Sequence, residues 1–157
     1  DFLCIGRLND PNKRFFLVKH ALLRLGHDGS EIIVCGNENP GAGIFMGVVS
    51  DDILNQLYNL NKIVFCMGKV EGICLPKIEA CVSGSVPIVC EDMSTAHEFV
   101  PSCFLCAPNP KSVANKIEEI LADYDGFQKI ALEYGEKFKK LFNKVAVAKR
   151  IVDNYLK

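Results

Sequence analysis

The stretch "VEGICLPKIEACVSGSVPIVC" (residues 70–90) decides how the chain is to be read. Its centre, "PKIEACVSG" (76–84), opens on proline and closes on glycine, the asymmetry of a short helix. Proline lacks only an N–H that the first turn leaves free, and glycine accepts the left-handed residue after the last turn. Next comes "VPIVC" (86–90), a continuous apolar run, as expected of a strand covered on both faces. Glu71 and Gly72 lie in the loop before the helix, and Glu79 within its first turn or so. Two carboxylates thus stand in a segment that otherwise reads as buried core.

The same alternation runs outward in both directions. "FLCIG" (2–6), "EIIVC" (31–35), "KIVFC" (62–66) and "CFLC" (103–106) read as strands, with "GIFMG" (43–47) as a shorter one. "KRFFLVKHALLRLG" (13–26) is helical and ends at a glycine, and "SDDILNQLYNLN" (50–61) begins with a serine cap and an acidic first turn. From Pro110 onward three helical patterns follow, over 110–124, 125–143 and 144–156. Strand and helix in alternation predict an α/β domain spanning 1–157, a Rossmann-like doubly wound parallel sheet with a helical C-terminal tail. No internal repeat, linker or low-complexity segment interrupts it.

Composition narrows the classes. About half of the 157 residues are apolar (49%) and the formal net charge is −1. Such a balance offers no basic field for nucleic acid. No apolar run approaches the roughly 20 residues of a spanning helix, and "DFLCIGRLND" lacks the basic start of a signal peptide. The chain opens directly on strand-like sequence, so a preceding segment is expected. Of the eight cysteines, Cys4, Cys35, Cys66 and Cys90 lie in apolar runs, where free cysteine behaves as a small hydrophobe. Cys103 and Cys106 form a CxxC, but on a strand, residues three apart point to opposite faces. Reduced structural thiols in a reducing cytosol are the expectation.

In open parallel sheets, ligands bind beyond the carboxyl ends of the strands, at helix N-termini. The turns that follow the strands here all carry glycine, charge or hydroxyl. Gly72 permits close backbone approach, and a helix start attracts anions. A carboxylate accepts hydrogen bonds only, so Glu71 and Glu79 suit hydroxyls such as those of ribose or hexose. The combination points to a sugar phosphate, although the helix dipole alone also explains a glutamate in a first turn.

The wider string "EGICLPKIEACVSGSVPIVCEDMSTAHEFV" resembles the donor-binding half of GT-B glycosyltransferases, in particular the group 1 (family 4) retaining enzymes. The shared pattern is Glu71, then Glu79-Ala80, Ser83-Gly84 and Pro87-Ile88-Val89. Upstream, "GRLNDPNKRF" is similar to that family's phosphate-binding turn, "VCGNE" to its second glycine turn, and "MGVVSDDILNQLY" to the segment that follows. The resemblance implies that Arg7 and Lys13 bind the diphosphate of a UDP- or GDP-sugar and that Glu71 binds donor-sugar hydroxyls. It implies that Gly72 and the backbone of Ile73, Cys74 and Leu75 hold sugar and phosphate, and that Glu79 takes the ribose. Gly36 would allow close approach, and the turn from Met46 to Val48 would frame the base. Departures are Cys74, where the family usually has glycine, Ile73 for an aromatic, and Ser94-Thr95 for a glycine pair, which would still offer N–H and hydroxyl donors.

The resemblance further implies no cofactor and no metal. It implies an N-terminal GT-B domain in cis or as a separate subunit, a saccharide or lipid-linked acceptor, and any membrane attachment through that other half. Its enzyme would transfer a hexose, as in polysaccharide biosynthesis, and the isolated domain would be inactive. A non-catalytic nucleotide-sugar-binding or partner-binding module, or half of a nucleotide-sugar epimerase, stands as the alternative.

Overall fold

The structure is a computed structural model and describes residues 1–155. Leu156, the end of the last predicted helix, lies outside the described residues. Six strands form one sheet: β1 (Phe2–Ile5), β2 (Ile32–Cys35), β3 (Ile44–Gly47), β4 (Ile63–Cys66), β5 (Val86–Cys90) and β6 (Leu105–Cys106). Their order is β3-β2-β1-β4-β5-β6 and every pairing is parallel. This is the Rossmann-like doubly wound arrangement that the alternation predicts. All residues of β4 and β5 are buried, which is why their runs are continuously apolar, whereas edge strand β3 alternates exposed and half-buried.

The helices are α1 (Phe15–Arg24), α2 (Asp51–Leu60), α3 (Leu75–Ser83), α4 (Ala96–Phe99), α5 (Pro110–Ala122), α6 (Tyr124–Leu141) and α7 (Lys144–Tyr155). Right-handed crossovers put α1 on one face of the sheet and α2 and α3 on the other. α5 packs beside α1, and α6 packs beside α3. The C-terminal segment is therefore not merely a tail. α5 buries Val113, Ile117 and Ile120, and α6 buries Phe127, Ala131 and Phe138, so each completes a cover layer. α6 also lies against the backbone of α3, because a Cβ at Gly135 would collide with the Cys81 carbonyl oxygen.

Two local assignments differ from the sequence reading. Residues Pro11–Lys13 form a 3₁₀ turn and Arg14 is left-handed (φ 48°, ψ 39°), so α1 begins at Phe15 and Lys13 stands outside it. Ser102–Phe104 form a second 3₁₀ turn closed by Phe104 N–H to the Pro101 carbonyl, which leaves only Leu105 and Cys106 in the strand. Cys103 is consequently off the sheet, and Cys106 sits in register beside Cys90. All eight cysteines are free. Residues 36–43 join β2 to β3 without a helix. Among the described residues, no helix is long and apolar enough to cross a membrane.

Candidate functional site

Strand order reverses between β1 and β4, and there the β1–α1 turn and the β4–α3 loop lie side by side. Asn12 joins them as a strand would. Its side-chain oxygen accepts the Val70 N–H (2.9 Å), its amide donates to the Val70 carbonyl (3.0 Å), and its own carbonyl accepts the Lys69 N–H (3.1 Å). Arg14 adds the β5–α4 turn. Its Nε donates to the Met67 carbonyl (2.6 Å) and Nη2 to that of Gly68 (3.2 Å), while Nη1 and Nη2 fork onto Asp92 at 2.9 and 2.8 Å. The left-handed backbone at Arg14, a cost of about 1–2 kcal/mol for a residue with a Cβ, is offset by these charge-assisted bonds.

Two further contacts hold the loop that carries Glu71. Ser94 Oγ accepts the Glu71 N–H (3.0 Å) and donates to the Glu71 carbonyl (2.7 Å). Lys77 is fully buried at 0% exposure, donates to the Thr95 carbonyl (2.6 Å) and hydroxyl (3.2 Å), and lies 5.2 Å from the Phe99 ring centre. Burial pushes its ammonium down from the usual lysine value. Ser94 and Thr95 were expected to offer their groups to a ligand. The Ser94 hydroxyl is engaged by Glu71, and the Thr95 carbonyl and hydroxyl oxygens by Lys77.

Within this frame Lys13 and Glu71 meet, Nζ to Oε1 at 2.6 Å, both largely shielded from solvent. The carboxylate folds back over Gly68, where any Cβ would collide with Oε1. The gap bordered by Lys13, Glu71, Cys74 and Pro76 measures about 20 Å³, room for roughly one water. α3 starts beside it without a side-chain cap, with Cys74 left-handed (φ 58°, ψ 70°) at its N-cap. That conformation suits glycine and accounts for the residue type expected at this position. A hydrogen bond with Cys66 holds the Cys74 thiol below the ordinary range and raises that of Cys66. Gly72 faces open space, and Ile73 and Leu75 are exposed.

Arg7 lies at the next strand end, 76% exposed, with only a 3.9 Å approach to Asp10. It lines a cleft of about 230 Å³ with Gly6, Gly36, Gly47, Val48 and Leu54. Val48 and Val49 wall this cleft, whereas Met46 stands outside it on β3. Gly36 is required by the fold itself, since a Cβ there would collide with the Gly6 carbonyl oxygen. Glu79, in the second turn of α3, borders a cleft of about 260 Å³ between α2 and α3 and accepts the Tyr58 hydroxyl at 2.6 Å. Ile5 is shared by the first two spaces and Leu54 by the last two, so they adjoin along one track. The structure thus brings Lys13 and Glu71 into contact and sets Arg7 and Glu79 farther along the same surface. Arg14, Gly68, Tyr58, Lys77 and Asp92 escaped the sequence reading. Arg14's partners lie 53–78 residues away and Lys77's lies 18 away, distances at which local pattern carries no signal.

The track offers an exposed guanidinium, a second cation that a ligand could draw from its carboxylate, an uncapped helix start and two carboxylates. It can hold an anion and hydroxyls together. The sequence matches no family model and no curated protein. Solved structures do match. Sucrose-phosphate synthase from Thermosynechococcus elongatus superposes over 98% of this chain and 44% of its own, with TM-score 0.83 and 20% identity. Anabaena HepE in complex with UDP matches over 97% of this chain and 47% of its own, at TM-score 0.81 and 19% identity. The C-terminal domain of a group 1 glycosyl transferase from Francisella tularensis matches over 92% of this chain and 86% of its own, at TM-score 0.73 and 20% identity. The chain spans about half the length of the first two. At these identities the likeness establishes the fold alone, the α/β Rossmann-like arrangement that these glycosyltransferase domains share.

Proposed function

We propose that this chain is the donor-binding half of a retaining glycosyltransferase, which moves a hexose from a UDP- or GDP-sugar to a saccharide or lipid-linked acceptor. The observation that carries this reading is the Lys13–Glu71 contact beside the uncapped start of α3, at the point where strand order reverses. A ligand that carries a diphosphate next to a sugar satisfies both partners at once, anion to lysine and hydroxyl to glutamate. Arg7 then closes on the diphosphate, the backbone of Gly72 to Leu75 cradles it, and Glu79 takes the ribose. Transfer would rest on positioning and on stabilising the departing diphosphate. HepE is described with UDP, which supports a nucleotide donor here, and its length leaves room for a second half that would supply the acceptor site.

The isolated chain should bind nucleoside diphosphate weakly, at about 10⁻⁴–10⁻³ M, because a one-sided cleft leaves charged contacts in water. It should transfer no sugar without its other half. Titration with UDP and GDP by NMR tests this, with shifts expected at Arg7, Lys13 and Glu79. Glu79→Gln should weaken bare nucleotide binding, and Glu71→Gln should spare it while weakening the sugar-bearing donor. No shifts at millimolar nucleotide would favour a non-catalytic partner-binding module. Transfer by the chain alone would overturn the half-enzyme reading.

A further inference from the structure

Glu79 is held by a group that no sequence pattern assigned to the site. The Tyr58 hydroxyl donates to Oε2 at 2.6 Å, while no protein donor among the described residues reaches Oε1. Tyr58 is itself packed and anchored through its backbone. It is 3% exposed, and its backbone carbonyl accepts the hydroxyl of buried Ser85. The single Ser85 hydroxyl hydrogen is shared with the Asn61 carbonyl (2.8 Å), and the Asn61 amide donates to the Leu57 carbonyl (2.8 Å). The end of α2 is thereby locked to the strand that follows α3, and Tyr58 projects from it onto α3.

We propose that Tyr58 is a positioning residue that turns Glu79 into a rigid clamp for the vicinal hydroxyls of ribose, so that a phenol bonded to the clamp sets the preference for ribonucleotides. The inference rests on the donor-binding reading and on Glu79 as its ribose contact. A glutamate has among the larger rotamer entropies of any side chain, and binding a diol demands that its carboxylate plane be held. A bond to Oε2 restrains the side chain and leaves Oε1 without a protein donor among the described residues. Burial, and then the bond to Glu79, push the phenol's proton affinity up. It therefore remains a donor throughout the working pH range. The other charged side chain on this cleft is Asp51 at the start of α2, an acceptor that cannot replace it.

The test compares the tighter-binding of UDP and GDP with its 2′,3′-dideoxy analogue on wild type, Tyr58→Phe and Glu79→Gln, by calorimetry. Phenylalanine keeps the ring and removes one oxygen, so α2 should stay packed, as the melting temperature reports. Wild type should favour the ribonucleotide about tenfold or more. Tyr58→Phe should lose roughly five- to tenfold for the ribonucleotide and nothing for the analogue, and should have no further effect in the Glu79→Gln background. An unchanged preference in Tyr58→Phe, or equal loss for both nucleotides, overturns the positioning role while leaving the donor site standing. A wild type that binds both equally overturns Glu79 as the ribose contact and this inference with it. In wild type carrying ¹³C-carboxyl glutamate, the Glu79 resonance should move with the ribonucleotide and stay still with the analogue.

Discussion

Arg7 and Arg14 are seven positions apart and do opposite things. Arg14 is spent on the protein, with its side chain only 12% exposed and its guanidinium shared among Asp92 and two backbone carbonyls. Among the described residues, the Arg7 side chain has no partner beyond a 3.9 Å approach to Asp10. A planar donor fork left open at a strand end is what a diphosphate requires. Arg7→Ala should therefore weaken UDP or GDP binding by roughly 1.5–3 kcal/mol with little effect on stability. Unchanged affinity by calorimetry would remove Arg7 from the site. The sequence reading singled out Glu71 and Glu79 from their places around a helix start, and Arg7 and Lys13 through the family resemblance. It passed over Tyr58 and Lys77 because their partners are set by packing between elements.

At the scale of elements, the site depends on three turns being tied together, and Asp92 is the acidic end of that tie. The hydrogen bond from Arg14 holds its carboxyl below the usual aspartate value. A depressed folded-state value means that the unfolded chain binds protons first as pH falls. The contribution is fully present above about pH 4, the unfolded value, and is lost as pH drops through the lower folded value. Asp92→Asn should therefore flatten part of the acid-induced loss of stability below about pH 4, measured by urea melts across pH. Identical pH slopes in both proteins would show the tie to be energetically idle. Helix ends were largely legible in sequence. Ser50 caps α2 by accepting the Ile53 N–H, and Gly84 takes the left-handed position after α3 (φ 83°). The start of α1 was not, because Arg14 adopts its conformation to reach Met67 and Asp92 in the loops after β4 and β5.

For the whole molecule, burial decides the cysteines. Six of the eight are buried and only Cys74 and Cys103 are partly exposed. A thiol reagent should modify at most two sites rapidly in the folded protein and the remainder on unfolding. Fast reaction at more than two would contradict the packed sheet. The sequence by itself determined the α/β class, the parallel sheet and the buried strands, since periodicity and capping are local. Tertiary structure alone decided that Lys13 neutralises Glu71 in the free protein, that Tyr58 holds Glu79, and that Ser94 and Thr95 bond to Glu71 and Lys77. It also decided that α5 and α6 cover the sheet rather than trail from it. The physical reason is the same throughout. A hydrogen bond or ion pair acts over about 3 Å, and which side chains come within that reach across 20 to 80 residues depends on how layers pack, not on any repeat written along the chain.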